Sequence, residues 1–265
     1  MSRIKEAFAK GKVFIPFVTC GDPDLDTTAA VVKAMAAAGA GIVELGIPFS
    51  DPTAEGPVIQ GANMRALSGG VTTDRIFDMA AALRRETDVP LVFMTYANVV
   101  FSRTVEGFAE RCAEAGIDGL ILPDVPFEEK EEFAPAFRKR GIDFVSLVAP
   151  TSAGRIAQIA RAAEGFLYVV SSLGVTGTRG AITTDIGAIV GQIRAASDIP
   201  CAVGFGISTP EQAARMAALS DGAIVGSAIV KLIAQHGRDA PPVVADYVRR
   251  MAAAVHAAAP SESCP

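Results

Sequence analysis

The stretch GIVELGIPFSDPTAEGP, residues 41–57, decides the fold. Its first half is an apolar run of strand length, and its second half is a turn rich in Pro and Gly that ends any regular element. Glu44 interrupts the apolar run between Val43 and Leu45, and Asp51 and Glu55 follow in the turn. An unpaired carboxylate in a core is costly. Glu44 is therefore at an exposed strand end, paired, or kept for chemistry.

Working outward, the same design recurs along the chain. Short apolar runs appear as KVFIPFVT, GIVELGIPF, PLVFMTYAN, GLILPDVP, DFVSLVAP, FLYVVSS, PCAVGFGI and GAIVGSA. Between them lie segments with apolar residues at helical spacing, such as TTAAVVKAMAAAG, TVEGFAERCAEAG and TPEQAARMAALS. Strands apolar on both faces that alternate with helices form a parallel sheet buried on both sides. Eight such units in about 250 residues are the size and count of a single (β/α)8 TIM barrel. A doubly wound sheet is the alternative, but its nucleotide fingerprint is missing: GFGIST is an incomplete G-x-G, and no phosphate-loop motif occurs.

The barrel is expected to span residues 1–258 as one domain, with an extra N-terminal helix in MSRIKEAFAK and a flexible tail at 259–265. The connection after the second strand, about Pro48 to Gly70, reads as one long loop, where such loops usually have roughly 2–6 residues.

Composition narrows the function. The 265 residues carry a net charge of -5, against a nucleic-acid or anionic-membrane partner. The N-terminus lacks a signal-peptide pattern, and no apolar run reaches transmembrane length, so a cytoplasmic location is expected. Four scattered cysteines without metal-like spacing suit free thiols in a reducing compartment. The two histidines, His236 and His256, sit far down the chain in helical contexts and read as helix-end residues.

Catalysis in such barrels sits at the C-terminal ends of the strands. No lysine lies there for a Schiff base, since Lys12 is at the opposite end of the first strand. No histidine is there for metal ligation or for an imidazole electrophile. What remains is Glu44, Asp51, Glu55, Asp124, Tyr96 and Tyr168, which leaves acid–base chemistry by carboxylates. Asp22 and Asp124 precede turns and read as groups that satisfy local backbone amides. Three Gly-rich pieces follow the last three strands, GVTGTRG, GFGIST and VGSAIVK. Each alone is a tight turn; together, at strand ends, they point to a phosphate ester held by backbone amides.

The motifs ELGIPFSDPTAEGPVIQ, FVTCGDP, YANVVF, LILPDVP, SSLGVTG and VGFGIST…DGAIVGSAIVK resemble, in order and spacing, the tryptophan synthase alpha chain family. The resemblance runs from the first helix to about His256. It implies a barrel that cleaves indole-3-glycerol phosphate to indole and glyceraldehyde 3-phosphate by a retro-aldol step. It also implies an α2β2 heterotetramer with a beta chain that carries pyridoxal phosphate, and no cofactor in this chain. Glu44 matches the family's general acid/base. Glu55 stands where the family usually has Asp, at the indole N–H, and is expected to stay ionised on its loop. Phe17 and Tyr168 match substrate-contacting aromatics, Thr176 and Gly177 a loop that closes over substrate, and Gly206, Gly226 and Ser227 the phosphate cradle. Asp51 and Asn98 match positions at the beta-chain interface. A stand-alone lyase and a non-catalytic regulatory subunit are the competing readings.

Overall fold

The computed structural model describes residues 2–152, 154–171, 185–204 and 206–259. Eight parallel strands close in sequence order, β1 pairing with both β2 and β8. They are β1 (Val13–Thr19), β2 (Val43–Gly46), β3 (Leu91–Met94), β4 (Gly119–Ile121), β5 (Asp143–Val148), β6 (Leu167–Val170), β7 (Cys201–Gly204) and β8 (Gly222–Val225). All eight expected strands are present, in a TIM barrel.

Twelve α-helices accompany them among the described residues: α1 (Arg3–Ala9), α2 (Leu25–Ala37), α3 (Pro57–Ser68), α4 (Thr73–Arg84), α5 (Ala97–Phe101), α6 (Val105–Glu114), α7 (Ala134–Arg138), α8 (Ile156–Arg161), α9 (Ile186–Ala196), α10 (Pro210–Leu219), α11 (Ser227–His236) and α12 (Ala240–His256). The expected extra N-terminal helix is α1. It sits under the barrel, with Ile4 in the lumen core, Ser2 Oγ donating to Asp143 at 2.7 Å and Arg3 paired with Asp118 at 3.0 Å. Helix α12 packs on α2 and β1, joining the two ends of the helical ring.

Side-chain alternation splits the core in two. Val13, Ile15, Phe17, Ile42, Val92, Met94, Ile121, Val145, Tyr168, Ala202 and Ile224 fill the lumen. Phe14, Val18, Val43, Leu45, Phe93, Leu120, Phe144, Val169 and Val203 pack outward against the helices. Both strand faces are thus buried, as the continuous apolar runs require. Because Val43 and Leu45 face outward, Glu44 faces inward. Its strand register sets it beside Phe17 on one side and Val92 on the other.

One expectation needs correction. The loop from Pro48 to Gly70 is half helix, since α3 occupies Pro57–Ser68. Pro57 suits the first helical turn, and Ile59, Ala62, Asn63 and Ala66 supply a buried stripe. That stripe is weak because it is built from small residues around Gly61, which hid it in the sequence. Of the proposed tail, all but Ala259 lies outside the described residues.

Candidate active site

Phe17, Glu44, Glu55, Tyr168, Gly206, Gly226 and Ser227 line one cavity at the C-terminal mouth of the barrel, with Ile59, Met94, Ile207 and Ile224. Seven of the residues singled out in the sequence are therefore brought together. Thr176, Gly177 and the loop they belong to lie outside the described residues. A larger hollow of about 1250 Å3 lies at the opposite end, around Arg3, Lys12, Gly41, Arg84 and Pro90. It is bounded by the ends of strands where a barrel carries stability, so size alone does not locate the chemistry.

Glu44 is 1% exposed, and its Oε1 has no hydrogen-bond partner. Burial pushes its carboxyl up to about 8. Among the described residues no cation lines the cavity to oppose that shift. Tyr168 is raised well above its ordinary value, first by burial and then by the Glu44 charge. Glycines make room for the aromatic side chains. A Cβ on Gly46 would sit 2.5 Å from the Phe17 ring, and one on Gly204 would lie 2.6 Å from that of Tyr168. Neither position tolerates a side chain without displacing a ring.

Glu55 is buried, although its loop was expected to keep it ionised, and burial pushes its carboxyl up to about 7 against the opposing effects of Asn63 and Tyr96. Asn63 Nδ2 donates to Glu55 Oε2 at 2.6 Å. Asn63 was not legible as a site residue because it lies on α3, in the segment that reads as loop.

The remaining acids separate cleanly. Asp22 does not serve local amides; its two oxygens accept from Arg65 at 2.8 and 2.7 Å. Asp124 has the expected structural role, although its partner is distant in sequence, since it accepts from the Ala97 amide at 3.2 and 3.1 Å and so caps α5. Asp51 and Asn98 are both exposed outside the cavity, Asp51 beside Ser50 and Asn98 on α5. The loops that carry them are tied by the Phe49 and Tyr96 rings, stacked at 5.2 Å. Among the described residues no cluster of three His, Cys, Asp or Glu could hold a metal ion.

Two helices begin at the expected phosphate end. The N-terminus of α10 is closed by a capping box, Thr209 accepting from the Gln212 amide at 3.3 Å while Gln212 accepts from the Thr209 amide at 3.2 Å. Helix α11 starts at Ser227 after Gly226 and has no side-chain cap. Its first amides are the ones left to meet an anion.

Two raised carboxyls facing an apolar cleft, with an uncapped helix start at its rim, define a barrel enzyme of acid–base chemistry on an aromatic or apolar anion. Comparisons with known proteins then give the family. A family model described as tryptophan synthase alpha chain matches residues 4–259. The chain is 48% identical over 257 residues to the tryptophan synthase alpha chain of Lacticaseibacillus casei, covering 97% of each, and 50% identical over 252 residues to that of Lactiplantibacillus plantarum, covering 95% of each. It superposes on a chain of Mycobacterium tuberculosis tryptophan synthase with a TM-score of 0.88 at 34% identity, covering 96% of this chain and 98% of that one. For a chain of the tryptophan synthase α2β2 complex of Pyrococcus furiosus the TM-score is 0.80 at 33% identity, covering 91% and 98%. The chain belongs to the tryptophan synthase alpha chain family. That family cleaves indole-3-glycerol phosphate to indole and glyceraldehyde 3-phosphate in tryptophan biosynthesis, so the chain is a carbon–carbon lyase.

Proposed function

We propose that Glu44 performs both proton transfers of this cleavage, with Glu55 acting on the indole N–H. The observation that carries the proposal is a buried carboxyl with an unpartnered oxygen on the lumen face, in one cavity with a second carboxyl. The protonated form of Glu44, which burial favours up to about pH 8, gives its proton to indole C3. The ring becomes a cation with a C2=N bond, and the Glu55 carboxylate accepts a hydrogen bond from its N–H. The new Glu44 carboxylate takes the proton of the hydroxyl on the side-chain carbon bonded to C3. That C–O bond becomes the aldehyde carbonyl, the C3–C bond breaks, and its electrons restore neutral indole. One proton leaves Glu44 and one returns.

Phe17, Met94 and Tyr168 would flank the ring, and the amides at Gly206, Gly226 and Ser227 would receive the phosphate, since among the described residues the cavity wall has no cation to do so. Thr176 and Gly177 are assigned to substrate closure from the family resemblance. Asp51 and Asn98 are assigned to a beta-chain interface in an α2β2 heterotetramer, supported by the α2β2 complex among the structural relatives and by their exposure beside the cavity mouth. Pyridoxal phosphate belongs in that partner, with no cofactor in this chain. Among the described residues no helix is long and apolar enough to cross a membrane, and we assign the chain to the cytoplasm as one barrel domain over residues 1–258.

Steady-state cleavage of indole-3-glycerol phosphate with a beta chain present tests the assignment. Glu44→Gln should lower kcat by at least about 10²-fold with KM little changed, the scale of a lost general acid/base. Near-normal turnover in that variant would remove Glu44 from the mechanism.

A further inference from the structure

Asn63 is 3% exposed on the inward stripe of α3, among Ile59, Ala62 and Ala66. A buried amide in apolar company is costly unless it is paired, and its partner is Glu55 at 2.6 Å. A second donor reaches the same carboxylate from a different element. Tyr96, the residue before α5, is 2% exposed, and its hydroxyl lies near enough to the Glu55 side chain to lower that carboxyl against burial. That hydroxyl also accepts from the Ala54 amide at 3.2 Å. A phenol has one proton, and with the Ala54 amide donating to its oxygen that proton is left for the neighbouring Glu55 carboxylate. The phenol ring is held by its stack on Phe49. The Glu55 backbone is fixed as well, since Gln60 Nε2 donates to its carbonyl at 2.7 Å.

We propose that Asn63 and Tyr96 are positioning residues for the reaction, clamping the Glu55 carboxylate between α3 and α5 and favouring its charged form. The inference rests on the reading that a charged Glu55 serves the indole N–H.

Both donors bond better to a carboxylate than to a carboxylic acid, so they oppose the burial that raises Glu55. The other titratable groups around this corner are Glu44 on β2 and Tyr168 on β6 across the cavity, and Asp124, which acts on Tyr96 from beyond α5. None of these is a cation, so among the described residues no positive charge on the cavity wall substitutes for the two donors. Removing a donor should raise the Glu55 carboxyl further and move the acid limb of the rate profile to higher pH.

The test is the pH profile of kcat for indole-3-glycerol phosphate cleavage, with a beta chain present, for the unaltered chain and for Tyr96→Phe, Asn63→Leu and Glu55→Gln. Tyr96→Phe keeps the ring and its stack; Asn63→Leu keeps the approximate volume. One lost hydrogen bond to a charged acceptor should move the acid limb up by on the order of one pH unit, about a tenfold loss of kcat near pH 6 that shrinks to less than about threefold near pH 8. A structural role alone would lower kcat equally at every pH, or lower only thermal stability, and either result overturns the clamp. If Asn63→Leu does not fold, Tyr96→Phe decides alone. The Glu55→Gln profile separates the two levels. Normal turnover there defeats the reading of Glu55 and the clamp with it. An inactive Glu55→Gln beside unshifted Tyr96→Phe and Asn63→Leu profiles defeats the clamp only.

Discussion

Two ends of one barrel bury carboxylates in opposite ways. At the bottom, Asp118 is 7% exposed and fully engaged: Arg3 and Arg84 each lie 3.0 Å away, and the Leu91 amide donates to it at 2.9 Å. At the mouth, Glu44 is 1% exposed, has no cation beside it among the described residues and keeps one oxygen unpartnered. A buried charge is tolerable when it is paired and hydrogen-bonded, and otherwise the group takes up a proton. Asp118 has the partners that the first case requires, whereas burial without a partner pushes Glu44 toward the second. Placement in the barrel follows the same division, with stability at the N-terminal ends of the strands and chemistry at the C-terminal ends.

The largest effect should come from breaking the paired end. Asp118→Ala removes the partner of half-buried Arg84 and the anchor of α1 through Arg3. Removing one side of a buried ion pair costs about 3–5 kcal/mol, and because Arg3 is half exposed the lower figure applies. Urea denaturation should show that loss, while kcat of the protein that remains folded stays near normal. A large drop in kcat without a loss of stability would mean that the two ends are not separate in function.

The opposite substitution should show the opposite sign. The Glu44 carboxyl rises from an ordinary value of 4.5 to about 8 on folding, so the folded state holds more protons across that window. The stability of the native chain is therefore full below about pH 4.5 and declines as pH rises through 8. Glu44→Gln should escape the decline. It should be more stable than the native chain by a few kcal/mol at pH 9, and close to it at pH 5. An equal effect at both pH values would show that Glu44 is not protonated in the fold.

How much of this was legible in the sequence follows from the range of the interactions. The strands showed themselves because both faces are buried, and Glu44 because a carboxylate amid Val43, Leu45 and Ile42 has no local partner. The capping box of Thr209 and Gln212 is likewise local. Helix α3 stayed hidden because its buried stripe is made of Ile59, Asn63 and small alanines. Asn63 stayed hidden with it. The burial of Glu55 was illegible for a further reason: it is made by Tyr96 and Asn63, which meet it only once α3 and α5 are packed. The pairing of Asp22 with Arg65 is of the same kind. Reading Asp22 as a turn residue identified its neighbourhood and missed its partner.

The central claim is that the unpaired carboxyl at the mouth is protonated at neutral pH. Carbon-13 NMR of the glutamate carboxyls, titrated from pH 4 to 10 and assigned to Glu44 by the resonance missing in Glu44→Gln, measures it directly. A carboxyl that is protonated at neutral pH gives a midpoint near 8 for Glu44. A midpoint near the ordinary value of 4.5, with the carboxylate form present throughout the neutral range, would contradict it.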